Sequence, residues 1–234
     1  MASPGEMVKR VAEVLGAPEA TVTVHDRNLA AAGLRTKGGR GKSAAKMTAG
    51  DVANLLLAVA GSSMVKDTVQ TVEDFADLPA RGGEKSGEVN GKIQHHGNAP
   101  DVWELADFPV NSLKKLPSGH TLKDALVALI EAAADGSLSA AIEGLPRKEV
   151  QGHKIPNPFR IEVTLFGPYP QATVRIYCNT FSEKHSYSKI PTDMEALTKW
   201  SKELEADPQF QGDLKQIREF SSKTLMAMGD LLKG

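Results

Sequence analysis

The chain has 234 residues, of which 41% are hydrophobic and 24% are charged, and its formal net charge at pH 7 is −1. This length and hydrophobic content suffice for one or two buried cores, and because no apolar run approaches 18 residues, the sequence predicts no membrane span. Cys178 is the only cysteine, which excludes an intrachain disulfide, and a lone cysteine of this kind is more typical of a buried strand than of a nucleophile.

The N-terminal segment predicts two helices joined by a tight turn. Ser3, Pro4 and Glu6 have the spacing of an N-cap, a first-turn proline and a capping-box glutamate, so the first helix should begin at Pro4. Gly16 can end that helix in a left-handed conformation without a Cβ penalty. A second helix is predicted over residues 18–32, about four turns, before the next glycine.

A basic, glycine-rich segment follows the second helix. From Arg35 to Met47 the chain reads RTKGGRGKSAAKM, with five basic residues, three glycines and no acid. A turn of this composition between two short extended pieces is typical of a wing, whose backbone and cations follow phosphates without reading bases. Thr48 and Asp51 then predict the start of a third helix, whose apolar face carries Val52, Leu55, Leu56 and Val59.

The spacing of small and apolar residues in the first two helices resembles that of prokaryotic helix-turn-helix DNA-binding proteins. The resemblance is carried by Ala12, Gly16 and Val22, with Val11 and Leu15 as supporting positions. With the basic segment and the third helix added, the order of elements resembles the winged helix-turn-helix domains of bacterial and phage regulators, over about a quarter of the chain. One departure is His25, which stands where the pattern usually has an aliphatic residue.

The resemblance implies that the second helix enters the major groove of double-stranded DNA and that the wing lies on the adjacent backbone. Arg27 and Asn28 are the candidates for guanine and adenine edges. Thr21 and Thr23 suit a phosphate or a thymine methyl group, and Val24 also lies off the packing face. The candidate backbone contacts are Arg35, Lys37, Arg40, Lys42 and Lys46. The alternative role for Arg27 is an ion pair with a neighbouring acid such as Asp26 or Glu19.

The distribution of charge supports this hypothesis. Residues 1–50 contain eight Lys or Arg and four Asp or Glu, a formal charge of +4, so the remaining residues carry −5. A basic N-terminal module on an acidic body suggests that one face meets DNA while the rest has another task.

The rest of the chain predicts further helices and one hairpin. A fourth helix is expected over residues 65–78, and another over residues 121–136 with a capping box at Thr121 and Asp124. Alternating residues 159–165 and 172–178 predict an antiparallel hairpin. The C-terminal region predicts a helix through Trp200 and a longer amphipathic helix from Phe210 to Leu232.

These elements predict an α+β fold in three parts. They are a winged helix-turn-helix domain in residues 1–80, a flexible loop or linker in residues 81–100, and an α+β body in residues 101–234. The body would serve oligomerisation or partner binding. The C-terminal helices are expected either to close their own core or to form a homodimer, which would double the contact with a two-fold DNA site.

Other chemistry has little support in the sequence. The string from Gly38 to Ser43 lacks the first P-loop glycine, because that position is Thr36, and no strand leads into it. The six histidines form no i, i+4 pair, so no metal and no cofactor is expected. No nucleophile motif is present, and the protein is not expected to be an enzyme. The N-terminus lacks an apolar signal-peptide core, which predicts a cytoplasmic protein.

The leading hypothesis is therefore a sequence-specific DNA-binding protein, most simply a bacterial or phage transcriptional regulator. Two alternatives stay open. One is a phage DNA-packaging or recombination accessory factor. The other is a protein-binding module that inhibits a host factor without binding DNA.

Overall fold

The structure is a computed structural model of the chain. It describes residues 2–38, 45–89, 92–99, 101–105, 108, 110–145, 148–150, 153–155, 158–178, 181–208 and 215–233. For residues 88–89, 92–99, 148–150 and 153–155, only the backbone is described.

The described residues form nine α-helices and eight strands. The helices are α1 (Pro4–Leu15), α2 (Glu19–Ala32), α3 (Ala49–Gly61), α4 (Thr68–Ala76), α5 (Asn111–Lys114), α6 (Leu122–Ala134), α7 (Ser137–Glu143), α8 (Met194–Ala206) and α9 (Ser222–Lys233). The strands are β1 (Ala80–Val89), β2 (Lys92–Ala99), β3 (Lys148–Val150), β4 (His153–Ile155), β5 (Arg160–Gly167), β6 (Gln171–Tyr177), β7 (Phe181–Ser188) and β8 (Gln216–Ser221). A 3-10 turn over Val65–Asp67 leads into α4.

One antiparallel sheet organises the strands. Its six strands have the order β2-β1-β7-β6-β5-β8, while β3 and β4 pair only with each other. In β5 and β6, alternate residues are buried, with Val163 opposite Val174 and Ile161 opposite Ile176. The hairpin predicted over residues 159–178 is therefore confirmed, and so is the α+β class. An isolated hairpin would be marginally stable, and here neighbouring strands on both sides complete the sheet.

The predicted helix boundaries at the N-terminus are confirmed by their caps. The Ser3 hydroxyl accepts a hydrogen bond from the Glu6 amide, and the Glu6 carboxylate accepts one from the Ser3 amide. Gly16 (φ 65°) ends α1 and Gly33 (φ 78°) ends α2, both in the left-handed region that glycine adopts without penalty. The Thr121 and Asp124 capping box at the start of α6 is also present.

The hydrophobic core is continuous from the N-terminal helices to the C-terminal one. It contains Met7 of α1, Leu55 of α3, Leu126 of α6 and Met228 of α9, all fully buried. Helix α9 packs against both α1 and α6, and α3 contacts β5 and β8. Among the described residues, the first 80 therefore share one core with the predicted body.

In the region predicted as a flexible loop or linker, the described residues 81–89 and 92–99 are strands. Residues 80–89 are β1, which pairs with β2 on one side and with β7 on the other. The glycine-rich, polar sequence of β1 shows no alternation, so pairing with neighbouring strands, rather than local preference, makes it a strand.

The long C-terminal helix predicted from Phe210 to Leu232 is wrong over residues 216–221, and residues 210–214 lie outside the described residues. Residues 216–221 form β8, in which Phe220 is buried while Ile217 is 66% exposed. Their three-residue spacing fits a helix, but hydrogen bonds to β5 determine a strand. The remaining helix, α9, buries Leu225 and Met228 in the core, so part of its apolar face packs inside the chain. Homodimerisation through the C-terminal helices stays a prediction.

No single helix in the described ranges is both long enough and apolar enough to cross a membrane. Helices α6 and α7 reach the required length only as a pair, which is bent by 77°.

Candidate nucleic-acid interface

Helix α2, the predicted groove-reading helix, has one buried and one exposed face. Val22 and Leu29 are fully buried, and the helix packs against α1, α3 and α4. His25 takes part in this packing, because its Nδ1 lies 2.7 Å from the Thr68 hydroxyl and its side chain is 4% exposed. The departure from the aliphatic pattern at residue 25 is thus accommodated by one hydrogen bond to α4, and burial lowers the pKa of His25.

The opposite face of α2 is exposed and carries small side chains around one cation. Ala20, Val24, Arg27 and Ala31 lie on it at helical spacing, and Val24 is 41% exposed. Arg27 makes no ion pair with a described residue, because the neighbouring Asp26 pairs with Arg35 instead. Small side chains allow a helix to approach a groove closely, and Ala and Val can contact thymine methyl groups. This face is free to reach a ligand.

Not every predicted base-reading residue is on this face. The Asn28 amide donates hydrogen bonds to the Val65 carbonyl at 3.1 Å and to the Thr68 hydroxyl at 3.4 Å. It therefore holds α2 against the turn before α4, and it is not available for an adenine edge. The Thr23 hydroxyl donates to the Glu19 carbonyl at 2.8 Å within the helix, and Thr21 is half-buried.

The basic loop after α2 is anchored at its first residues. Arg35 forms an ion pair with Asp26 at 2.8 Å, and both side chains are mostly buried. Burial raises the pKa of Asp26, although the Arg35 guanidinium opposes that shift. The Arg35 guanidinium is thus already paired with a carboxylate of the protein, and its predicted contact with the DNA backbone stays a prediction. The Asn54 amide also binds the loop, by donating to the Leu34 carbonyl.

Asp51 ties the two ends of the loop together. One carboxylate oxygen accepts from the Thr36 amide at 2.7 Å, and the other accepts from the Thr48 amide and hydroxyl at 2.8 Å each. Burial alone would raise the pKa of Asp51, but these hydrogen bonds outweigh it and hold the pKa below the ordinary value. The Asp51 carboxylate thus caps α3 and accepts hydrogen bonds from both limbs of the loop.

The two limbs come close together at Gly38. A Cβ atom at this position would lie 2.3 Å from the Ala45 nitrogen, a distance at which only glycine fits. The described residues of the limbs, 34–38 and 45–48, are not strands, unlike the extended pieces predicted for a wing. Arg40 and Lys42 lie outside the described residues. Lys37 and Lys46 are exposed.

A lysine from the body lies beside this loop. Lys123 of α6 and Lys37 line the same shallow cleft of about 440 Å³, together with Thr36, Thr48 and Gly50. Lys123 is half-buried, and its Cε would be 4.0 Å from a Cβ on Gly50. Neither lysine makes an ion pair with a residue that the structure describes. Lys123 has no signal in the sequence that links it to the loop, because only tertiary packing brings α6 next to it.

A second polar cluster, which no pattern in the sequence predicts, lies in the core. Glu183 accepts hydrogen bonds from the amides of Glu104 and Leu105 and from Nε2 of His185, at 2.7–3.0 Å. Burial alone would raise the pKa of Glu183, but these three donors lower it overall. The Tyr187 hydroxyl donates to Nε2 of His120 at 3.0 Å, because Nδ1 of that ring donates to the Pro117 carbonyl.

This cluster is structural in character. Glu183, His185, Tyr187 and His120 are each at most 3% exposed. Through Glu183, the cluster also holds Leu105 in a left-handed backbone conformation (φ 39°) that is strained for a residue with a side chain. In the described part of the chain, no three His, Cys, Asp or Glu side chains lie close enough to hold a metal ion.

Comparison with protein-family models, curated proteins and solved structures found no match to this chain.

Proposed function

We propose that the protein binds double-stranded DNA sequence-specifically, as a transcriptional regulator, with the exposed face of α2 in the major groove. The observation that carries the proposal is the exposed face of α2, where Arg27 has no ion pair with a described residue and lies among small side chains next to an anchored basic loop. Arg27 would read a guanine edge, and Val24 with the alanines would contact thymine methyl groups.

The loop and Lys123 would supply the backbone contacts. Lys37, Lys46 and Lys123 are the described cations beside α2 and the loop that remain without an ion pair, and Arg40 and Lys42 add two charges in the same loop. Phosphate contacts of this kind position a protein on the duplex but carry no sequence information. Because Lys123 belongs to α6, the body would take part in binding rather than only carry the DNA-binding module.

The test begins with selection of bound sites from random duplexes, followed by a salt titration on the selected site. Arg27→Ala should weaken binding to that site by about 1–3 kcal/mol and relax the preference at one base pair. Lys37→Ala and Lys123→Ala should each weaken binding to all sequences equally and reduce the salt slope by about one. The matched control is Lys202→Ala, a similarly exposed helical cation on α8, which should change neither quantity.

The outcome separates the parts of the proposal. If wild type selects no site and binds no duplex at low salt, DNA binding is refuted. If wild type binds but Arg27→Ala behaves like the Lys202 control, the groove assignment of α2 is refuted. If Lys123→Ala alone leaves DNA binding and its salt slope unchanged, the body does not contribute to DNA binding.

A second candidate function is supported by the apolar character of the same face. Ala20, Val24 and Ala31 are exposed together on α2, and a small apolar strip can also pack against a helix of another protein. This alternative, a protein-binding module, predicts that Val24→Glu abolishes partner capture and that no salt-dependent DNA affinity exists.

A further inference from the structure

A cavity lies at the far end of α3 from the basic loop. It has a volume of about 370 Å³, is partly open to solvent, and is lined by the last residues of α3, the 3-10 turn and α4, the turn between β5 and β6, and β8. Volumes of this order are typical of small-molecule sites, which combine apolar walls with a few convergent polar groups. The DNA-binding proposal assigns no role to this cavity.

The charged groups of the cavity have opposite signs on opposite elements. Asp67 lines it from the 3-10 turn and Asp74 from α4, and neither makes an ion pair with a described residue. Gln70 donates to Asp74 at 2.9 Å. Arg218 lines the cavity from β8.

Arg218 is held in place by the protein around it. Its Nη1 donates to the carbonyls of Ala60 and Ser62 at the end of α3, and its Nη2 donates to the Gln216 side chain at 3.2 Å. A guanidinium has five N–H donors, so donors remain beyond these three bonds. The cation is thus fixed without a carboxylate partner among the described residues.

The remaining wall has an apolar part beside hydroxyl and amide side chains. Phe75 of α4, Leu165 and Phe166 of β5, and the turn residues Pro168 and Pro170 line the cavity. An acidic wall, a fixed guanidinium and an apolar wall together complement a molecule that has an ammonium group, a carboxylate and an apolar side group.

We propose that this cavity binds a free α-amino acid with an apolar side chain. Its ammonium group would pair with Asp67 or Asp74, its carboxylate with Arg218, and its side chain would contact the phenylalanine and proline wall. Such a ligand would satisfy both signs of charge at once, which a simple amine or a simple acid of the same size would not.

The segment that lines the cavity is also hydrogen-bonded to α2. The segment that carries Asp67 also carries the Val65 carbonyl and the Thr68 hydroxyl, the groups that hold Asn28 and His25. A ligand bound to this segment would therefore favour one position of α2. Ligand binding itself does not depend on the proposed DNA function and is tested without DNA.

Isothermal titration calorimetry of the full chain with L-phenylalanine and L-leucine tests the site. Saturable binding at millimolar or lower concentration is expected for at least one of them. Phenethylamine lacks the carboxylate and 3-phenylpropionate lacks the ammonium group, and each should bind about tenfold or more weakly than L-phenylalanine. Binding of neither amino acid, or equal binding of 3-phenylpropionate, would overturn the proposal.

Variants locate the site. The double variant Asp67→Asn/Asp74→Asn keeps the size of both side chains and should weaken amino-acid binding at least tenfold. Asp77→Asn, at an exposed position beyond the end of α4 and outside the cavity lining, is the matched control and should bind as wild type. Wild-type affinity in the double variant would refute the assignment. In hydrogen exchange, added ligand should slow exchange in α2, and unchanged exchange there would refute the link to α2.

Discussion

The clearest test of the loop anchor is to remove the Asp51 carboxylate and to compare the result with the same change at Asp124. Both residues occupy the third position of a helix and accept hydrogen bonds from the amide and hydroxyl of the preceding threonine cap. Asp51 differs in accepting a third bond, from the Thr36 amide across the loop, and in being only 5% exposed. The pair therefore compares the same capping box with and without the buried bond across the loop.

The magnitudes follow from the bonds lost. Asp124→Ala should cost about 1 kcal/mol of unfolding free energy, the usual value for a lost capping interaction. Asp51→Ala loses the same capping bonds and a charge-assisted bond worth about 1.5–3 kcal/mol. We therefore expect a total loss of about 2.5–4 kcal/mol for Asp51→Ala, with a fall in Tm of about 2–4 °C for each kcal/mol in a chain of this size.

Urea denaturation followed by tryptophan fluorescence and circular dichroism measures both variants. If Asp51→Ala and Asp124→Ala lose the same free energy within about 0.5 kcal/mol, the bond to Thr36 does not stabilise the fold and the anchor argument is refuted. Under the proposed function, Asp51→Ala should also weaken DNA binding measured where both variants are folded, and Asp124→Ala should not.

Two further predictions concern the core. Gly229→Ala should destabilise the protein by about 1–3 kcal/mol, because a Cβ there would lie 2.4 Å from the Ala133 Cβ where α9 crosses α6. The control is Gly5→Ala, because the space around Gly5 is open. It should leave the unfolding free energy unchanged or slightly raised. The unfolding free energy should also decrease in two stages as the pH is lowered. The pKa values of His25 and His120 are lowered by burial, so the unfolded chain binds protons first as pH falls below about 6.5. The lowered pKa of Glu183 adds a second loss of unfolding free energy below about pH 4.5. This second loss should be smaller in Glu183→Gln. Denaturation curves from pH 8 to pH 3 measure both stages, and a stability that stayed constant or rose on acidification would contradict the prediction.

Part of the fold was predictable because local signals specify it. The caps at Ser3, Thr48 and Thr121 and the glycines that end α1 and α2 act within one turn of helix, so the residues alone indicate where these helices begin and end. The β5–β6 hairpin was predictable for a similar reason, since its alternation of apolar and polar residues can form only one buried face.

The candidate site was predictable only as a segment. Sequence spacing indicates that α2 and the basic loop belong together, and it identifies Arg27 and Val24 as lying off the packing face. It does not show which polar side chains already form hydrogen bonds or ion pairs inside the protein. Asn28 is occupied by a carbonyl 37 residues away, and Arg35 by a buried carboxylate on α2.

What the sequence determined by itself is therefore the set of elements with local caps or clear periodicity. The tertiary structure alone decided that β1 and β8 are strands, that Lys123 lies beside the loop, and that Glu183 and His185 form a buried pair. The physical reason is range: caps and periodicity depend on neighbours a few residues away, whereas strand pairing, burial of charge and helix contacts depend on partners that only the folded chain brings together.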